Sequence, residues 1–183
     1  MKSAINDLFQ SISPDVQGLN TYRYQRNVSG GIQEYMEAVL FQHYLETQQV
    51  MSHDQATRLL PADVMLTYED YALGLFDMTG ELMRFAITYM ATNGSLPGSN
   101  DKGSSSNILT DMQDMRSQLE ILDISGSYAL SKEFEQKMKT TKNSVEKVEN
   151  SVYSMIVRGS ERPKGWRPDL FAGEGTSEQV ESY

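Results

Sequence analysis

A regular series of mostly apolar residues near the end of the chain constrains the fold more than any other feature of the sequence. Its members are separated alternately by four and three positions: Phe134, Met138, Thr141, Val145, Val148, Val152 and Met155. This spacing places one stripe on a helix over about three heptads, and such a stripe packs along a neighbouring helix. Gly159 follows the stripe, and we expect it to cap the helix. The pattern predicts a long helix within a helical bundle.

The rest of the chain also favours helices, and no segment shows the two-residue alternation of a strand. Helices are predicted over residues 5–12, 16–50 and 108–122, after the Ser52–Gln55 capping box as far as Pro61, and from the N-cap Thr67 onward. Gly30 and Gly31 favour a break within the second of these, although a helix can absorb them. We therefore predict an all-α fold.

Composition predicts one helical domain over 1–172, with a flexible linker at 93–107 and a disordered acidic tail at 173–183. The chain has 183 residues, no cysteine, and a formal charge of −9 from 25 acidic and 16 basic residues. This charge argues against an autonomous nucleic-acid binder, which needs lysine and arginine. Because no apolar stretch reaches the roughly 18 residues of a membrane span and no secretion signal is present, we expect a reducing, cytoplasmic or nuclear setting without a membrane partner.

Two glutamates lie outside the main apolar face of the helix at 31–49. That face consists of Ile32, Met36, Val39 and Leu40. Glu34 and Glu37 share their side of the helix with Ala38, Phe41 and Leu45, whereas Gln42, Glu46 and Gln49 form the clearly polar stripe. We therefore expect Glu34 and Glu37 to lie among apolar groups.

A second helix carries Asp77 and Glu81 one turn apart, beside a separate core stripe. The stripe contains Tyr71, Leu75, Met78, Leu82, Phe85 and Tyr89, and the charged face contains Asp70, Asp77, Glu81 and Arg84. Gly74 and Gly80 border the charged face. Because glycine inside a helix costs about 1 kcal/mol relative to alanine, these two glycines predict close approach by another backbone or a ligand.

If the two helices face each other, Glu34, Glu37, Asp77 and Glu81 share one pocket. Like charges in a partly dry site require a counter-cation, and Mg²⁺ or Mn²⁺ prefers oxygen ligands. Such an ion can activate water and bind a phosphoryl oxygen, as in metal-dependent nucleases. The alternative is that Asp77 and Glu81 pair with Arg84 and nearby basic residues on a solvated face, which is the commoner arrangement.

Three long stretches resemble the translin family, and within it the branch of translin-associated factor X (TRAX). They are IQEYMEAVLFQHYLET, YALGLFDMTGELMR and KVENSVYSMIVRGSERPK, and they occur in the family's order. The resemblance implies a translin-like helical fold and a hetero-oligomeric, closed shell formed with translin. It also implies a Mg²⁺-dependent endoribonuclease that cuts single-stranded RNA, including RISC passenger-strand fragments and tRNA-processing fragments. The family's catalytic, metal-binding acids match Glu34, Glu37, Asp77 and Glu81.

The same resemblance separates this chain from translin itself, which lacks the QEYMEA carboxylates and has an apolar residue at the position of Asp77. It thus implies the catalytic subunit, with translin supplying much of the basic RNA-binding surface. A non-catalytic scaffold subunit is the competing interpretation. Members of the family usually have a further long helix before the point matched by Met1, so we expect that helix to be missing here.

Further candidates lie outside the carboxylate helices. Arg23 and Arg26, interleaved with tyrosines in TYRYQR, together with Arg84, are candidate RNA contacts. The alternative for the first two is arginines whose stems cover apolar surface. His43 is predicted to be a core histidine. Arg162, Lys164 and Arg167 could meet RNA or a partner, and the sequence does not decide between them.

Overall fold

The computed structural model describes residues 2–98, 107–122 and 128–158, and these segments are helical without a strand. The helices are α1 (Lys2–Ile12), α2 (Leu19–Thr47), α3 (His53–Thr57), α4 (Tyr68–Asn93), α5 (Ile108–Glu120) and α6 (Tyr128–Arg158), with a 3-10 turn at Ser13–Val16. The all-α prediction is confirmed. Most of the predicted linker (99–106), Gly159, the basic residues after it and the acidic tail lie outside the described residues.

The glycine pair at positions 30 and 31 does not interrupt α2, which continues from Leu19 to Thr47. A Cβ atom built on either glycine would meet nothing within 4 Å. The pair therefore reflects no close packing, and the buried residues that follow it, such as Ile32 and Met36, hold the helix against its neighbours. Of the two possibilities at this position, the uninterrupted helix is the one observed.

Side-chain caps fix the beginnings of α3 and α4 as the sequence predicts. The Ser52 hydroxyl accepts a hydrogen bond from the Gln55 backbone N–H, and Gln55 Oε1 accepts one from the Ser52 N–H, which completes the capping box. Thr67 Oγ1 accepts a hydrogen bond from the Asp70 N–H at 3.0 Å. These bonds satisfy backbone donors that have no partner within the helix. α3 ends at Thr57, three residues before the leucine that precedes Pro61.

α4 is the central helix of the bundle, and it packs against α2, α5 and α6. The main core joins residues from all of them, and its fully buried members include Met36, Leu40, Met78, Leu82, Met112, Val145 and Val148. The predicted stripe on α6 packs inward, with Val145 and Val148 fully shielded from solvent. Within the described segments, no helix combines the length and apolar character that a membrane span requires.

Candidate functional site

The backbones of α2 and α4 meet at Gly74. A Cβ atom at this position would lie 2.6 Å from the Cβ atom of Met36 and 3.3 Å from the backbone nitrogen of Glu37. Only glycine fits at such a distance without moving a helix. The predicted close approach is therefore confirmed at Gly74. At Gly80 an added Cβ atom would meet no protein atom within 4 Å, so no other backbone approaches closely there, and close approach by a ligand stays a prediction.

A buried carboxylate joins the same two helices about one turn earlier on α4. Asp70 is 2% exposed, and its two oxygens accept hydrogen bonds from four side chains. Three donors belong to α2 and one is the N-cap of α4: Gln25, Ser29, Gln33 and Thr67. All four donors are neutral and each bonds a charged acceptor, which makes these hydrogen bonds stronger than ordinary ones. Asp70 therefore holds the helices together and does not belong to the carboxylate face assigned to it from the sequence.

The four predicted carboxylates differ in exposure. Glu37, Asp77 and Glu81 are half-buried, but Glu34 is exposed, as is Ala38 beside it. The expectation that Glu34 lies among apolar groups is thus wrong. The reason is that Ala38 and Leu45, which made that side of α2 resemble an apolar surface, point outward, with Leu45 39% exposed.

The pKa of the Glu37 carboxyl reflects the burial and the charges around the site. Burial and then the neighbouring Asp77 raise the pKa of the Glu37 carboxyl above its usual value, and Glu34 adds to this. Arg84 and Lys137 oppose the increase in this pKa. Charges from α2, α4 and α6 therefore act on one another here, and we call Glu34, Glu37, Asp77 and Glu81 the carboxylate site.

Two side-chain cations already pair with half of the carboxylate site. Lys137 Nζ donates a hydrogen bond to Asp77 Oδ1, and Arg84 Nη1 donates one to Glu81 Oε1. The structure therefore contains, for Asp77 and Glu81, the alternative arrangement in which each acid pairs with a neighbouring basic residue. No hydrogen bond or ion pair from another described residue reaches the carboxylate of Glu34 or Glu37, so the site keeps excess negative charge.

The side chains as oriented do not fit a divalent ion. Among the residues that the structure describes, no three carboxylates or imidazoles converge closely enough to ligate a metal. Mg²⁺ requires oxygen ligands in near-octahedral geometry at about 2.1 Å, and Lys137 and Arg84 hold two of the oxygen groups that would have to turn toward it.

Lys137 is the participant that sequence reasoning missed. It lies on α6 between Phe134 and Thr141, and therefore at the flank of the apolar stripe. A basic residue flanking a stripe is a weak signal, because which residue it faces depends on the packing of a helix about 60 positions away. Only the assembled bundle shows that it faces Asp77.

Of the other predicted residues, Arg84 contacts the carboxylate site, whereas the rest have no recorded contact with it or lie outside the described residues. Arg23 and Arg26 are exposed on α2; the Arg23 guanidinium lies 5.6 Å from the centre of the Tyr24 ring. Arg26 acts on Glu69 in the first turn of α4, where it opposes the rise that burial causes in the pKa of that carboxyl. Arg84 does reach the site, and His43 is half-buried. Residues 162, 164 and 167 are not described.

Comparison with known proteins identifies the class to which this fold belongs. The translin family profile matches residues 2–159, so the chain belongs to the translin family. Similar proteins are the translin-associated protein X of Rattus norvegicus, 31% identical over 185 residues covering 88% of this chain and 60% of the relative, and the translin-associated protein X homolog of Schizosaccharomyces pombe, 31% identical over 159 residues covering 86% and 63%. The chain thus spans about three fifths of the length of these relatives. The resemblance inferred from the three sequence stretches is confirmed.

Proposed function

We propose that this chain is the catalytic subunit of a hetero-oligomer with a translin-type partner, and that it cuts single-stranded RNA as a divalent-ion-dependent endoribonuclease. RISC passenger-strand fragments and tRNA-processing fragments are the proposed substrates. The membership in the translin family and the similarity to proteins named translin-associated protein X support the assignment to this branch.

One observation carries the catalytic part of this proposal. The contact at Gly74 brings Glu37 of α2 toward α4, and Glu37 and Asp77 are close enough that one raises the pKa of the other. Both are half-buried, and Glu37 has no cationic partner bound to it among the described residues. Acids whose pKa is shifted by burial and by a neighbouring like charge are found preferentially at functional sites.

We assign Glu34, Glu37, Asp77 and Glu81 to Mg²⁺ binding, with Mn²⁺ as a substitute. Since the side chains as oriented do not form a ligand set, this assignment requires Asp77 and Glu81 to leave Lys137 and Arg84. The excess negative charge on Glu34 and Glu37 favours the arrival of a cation.

Two arguments support the proposed translin-type partner: membership in the translin family and the charge of this chain. With a formal charge of −9, this chain offers few cations for an RNA backbone, whose binding depends on lysine and arginine. A translin-type subunit would supply most of that basic surface. Arg84 beside the site, and Arg23 and Arg26 on α2, are the proposed RNA contacts of this chain itself.

The test is cleavage of an end-labelled single-stranded RNA by this chain co-purified with a translin-type partner. Cleavage is compared in Mg²⁺, in EDTA, and in Mg²⁺ with the Asp77→Asn variant. We expect activity only in the first condition, with Asp77→Asn still assembling at the wild-type mass. Glu146→Gln, which removes an exposed carboxylate from α6, is the matched control and should cleave normally. Equal cleavage in all conditions would indicate a contaminating nuclease.

A second candidate function is a non-catalytic scaffold subunit of the same assembly. The observation that favours it is the pairing of Asp77 with Lys137 and of Glu81 with Arg84, because ion pairs satisfy these acids without a metal. A scaffold forms the complex but cleaves RNA in none of the conditions. Loss of assembly in Asp77→Asn would likewise indicate that this residue serves the structure.

A further inference from the structure

We propose that a cavity between α2, α4 and α5 binds a small organic cation that has an apolar body. This inference goes beyond the proposed function and does not depend on it, because the cavity and the carboxylate site lie on opposite faces of α4. Tyr68, Ala72 and Leu75 line the cavity from α4. At about 100° per residue around a helix, they face away from Asp77 and Glu81.

The walls of the cavity are mainly apolar. Its volume is about 550 Å³, within the roughly 300–1,000 Å³ of typical sites for small ligands. On the α5 side, Met115 and Leu119 are only 6% and 4% exposed. An apolar ligand body would therefore leave water on binding, which is the main favourable contribution to such association. The other apolar residues of the lining are Val50, Ala72, Leu75 and Leu122.

Two tyrosines of the lining are held by hydrogen bonds that do not require a ligand. The Tyr44 hydroxyl donates a hydrogen bond of 2.6 Å to Asp111 Oδ2, and the Tyr71 hydroxyl donates one of 2.6 Å to the backbone carbonyl of Met51. Tyr44 is 2% exposed, so its ring cannot turn outward without opening the core. These walls are formed in advance, and little binding free energy is lost in ordering them.

A third tyrosine presents its ring to solvent beside the cavity. Tyr68 is 77% exposed, and its ring stacks on the imidazole of His53 with 4.2 Å between ring centres. The stacking holds the ring in place. Because the face of an aromatic ring attracts a cation, Tyr68 favours a positively charged ligand at this edge of the cavity.

The charges of the lining favour the same class of ligand. Asp111 and Asp114 lie one turn apart on α5 and both line the cavity, whereas none of the described residues that line it is a lysine or an arginine. The hydrogen bond that Asp111 accepts from Tyr44 comes from a neutral group and does not cancel the carboxylate charge. A partly enclosed cavity with charges of one sign attracts a ligand of the opposite sign.

An organic ammonium group on an apolar body matches the walls, the ring and the carboxylates together. The body would fill the apolar part of the cavity, and the charged group would lie near Asp114, which is exposed. A phosphate or carboxylate ligand would be repelled by Asp111 and Asp114, and a bare metal ion would make no use of the apolar walls.

The experiment is a fluorescence titration of two dansyl probes with the full-length chain in the assembly in which it purifies. One probe carries a trimethylammonium arm, and the other carries a tert-butyl arm of the same shape without the charge. We expect the emission of both to shift to shorter wavelength on binding. The cationic probe should bind roughly fivefold more tightly, since a partly exposed ion pair has a strength of that order.

Asp114→Asn should remove most of the advantage of the cationic probe and leave the affinity for the neutral probe unchanged. Asp7→Asn is the matched control, because it removes an exposed carboxylate from α1, outside the lining of the cavity. Ala72→Phe should weaken the binding of both probes about tenfold or more, because the ring fills the cavity. If Ala72→Phe fails to fold, Val50→Trp fills the cavity from a position that is 39% exposed.

Two kinds of result would overturn the inference. Equal affinity for the two probes, or an advantage of the cationic probe that survives Asp114→Asn, would reject the organic cation as the ligand. Absence of binding, or binding that the cavity-filling variant leaves unchanged, would reject the site itself. Neither result bears on RNA cleavage, so the proposed function is tested separately.

Discussion

At Gly74 the backbone of α4 comes so near to α2 that a methyl group has no room, and the position of the carboxylate site follows from this contact. The neighbouring atom on α2 is the Cβ of Met36. Because a Cβ atom is bonded directly to the backbone, a change of rotamer cannot move it away. The adjacent Glu37 is therefore held against α4. A substitution at Gly74 must either separate the helices or strain both of them.

The first prediction compares Gly74→Ala with Gly80→Ala. Gly74→Ala should lower the free energy of unfolding by about 1–3 kcal/mol, the usual effect of overpacking, because its Cβ atom would lie 2.6 Å from that of Met36. Gly80→Ala should raise it by up to about 1 kcal/mol, because alanine is the better helix former and the space is open. Urea denaturation of both variants measures the difference. Equal effects would contradict the close approach at Gly74.

The second prediction concerns Glu37 and pH. Burial, followed by Asp77, raises the pKa of its carboxyl above 4.5 in the folded protein. Because the pKa of Glu37 is higher in the folded protein than in the unfolded chain, the protonated carboxyl stabilises the fold. This contribution is fully present when the pH is below the pKa of the unfolded chain, and it is lost as the pH rises through the pKa of the folded protein. At pH 7.5 the ionised group therefore opposes folding.

Glu37→Gln should accordingly be more stable than wild type at pH 7.5, and this advantage should shrink toward pH 4.5. We expect less than about 1 kcal/mol, because the side chain is only partly buried and solvent screens its charge. Urea denaturation in EDTA at the two pH values measures the effect, with Glu146→Gln as the control for removing one carboxylate. A variant less stable than wild type at pH 7.5 would show that ionised Glu37 supports the fold.

At the scale of the helices, Asp70 links α2 to α4 through its hydrogen bonds, and we call this set of bonds the Asp70 joint. Its oxygens accept hydrogen bonds of 2.7 Å from Gln25 and of 2.9 Å from Gln33, both on α2. The Thr67 hydroxyl donates to the same carboxylate at 2.7 Å and also caps α4. One residue therefore sets the beginning of α4 and its alignment with α2 two turns before Asp77.

The third prediction follows from that geometry. In Asp70→Asn an amide N–H₂ group replaces one acceptor oxygen and faces one amide donor and one hydroxyl. The hydroxyl can turn and accept, but the hydrogen bond from the amide donor is lost in a buried place, and the remaining bonds no longer have a charged acceptor. We expect the free energy of unfolding to fall by about 1.5–3 kcal/mol, the range for a hydrogen bond to a charged group. Chemical denaturation measures this, with the exposed Asp114→Asn of α5 as the control. A loss no larger than that of the control would show that Asp70 is not a joint.

Local signals in the sequence were enough to predict the helices and where two of them begin. The capping box at Ser52 and the N-cap at Thr67 act within a few residues, so their geometry is largely independent of the rest of the fold. The stripe on α6 likewise predicted its buried face. At Gly30 and Gly31 the sequence left two possibilities open, because packing elsewhere on α2 decides between them.

The assembly of the site could be predicted only in part, since it depends on contacts between distant segments. The sequence predicts the close approach at Gly74, but it offers the pairing of the two carboxylate helices only as a condition. The expectation that Glu34 lies among apolar groups is wrong because a helical wheel counts Ala38 as apolar, whether it faces the core or the solvent. Lys137 was missed because its partner is decided by the register of α6 on α4, and nothing within either helix alone reveals that register.

For the whole molecule, the carboxylate site is a meeting point of three helices from separate parts of the chain. α2 supplies Glu34 and Glu37, α4 supplies Asp77 and Glu81, and α6 supplies a cation. Since α4 packs against both of the others, a displacement of either neighbour changes the balance of charge around the same acids. The fold thus ties the electrostatic state of the site to the packing of the bundle.

The Asp70 joint also decides how the molecule responds to ionic strength. Its four donors are uncharged and its carboxylate is 2% exposed, so dissolved salt has little access to the bonds that align α2 with α4. The pair of Lys137 with Asp77 joins two full charges that solvent partly reaches, and salt weakens such attraction. Salt concentration therefore acts on the charges of the site while leaving the frame that holds them nearly unchanged, and experiments on the site should hold it constant.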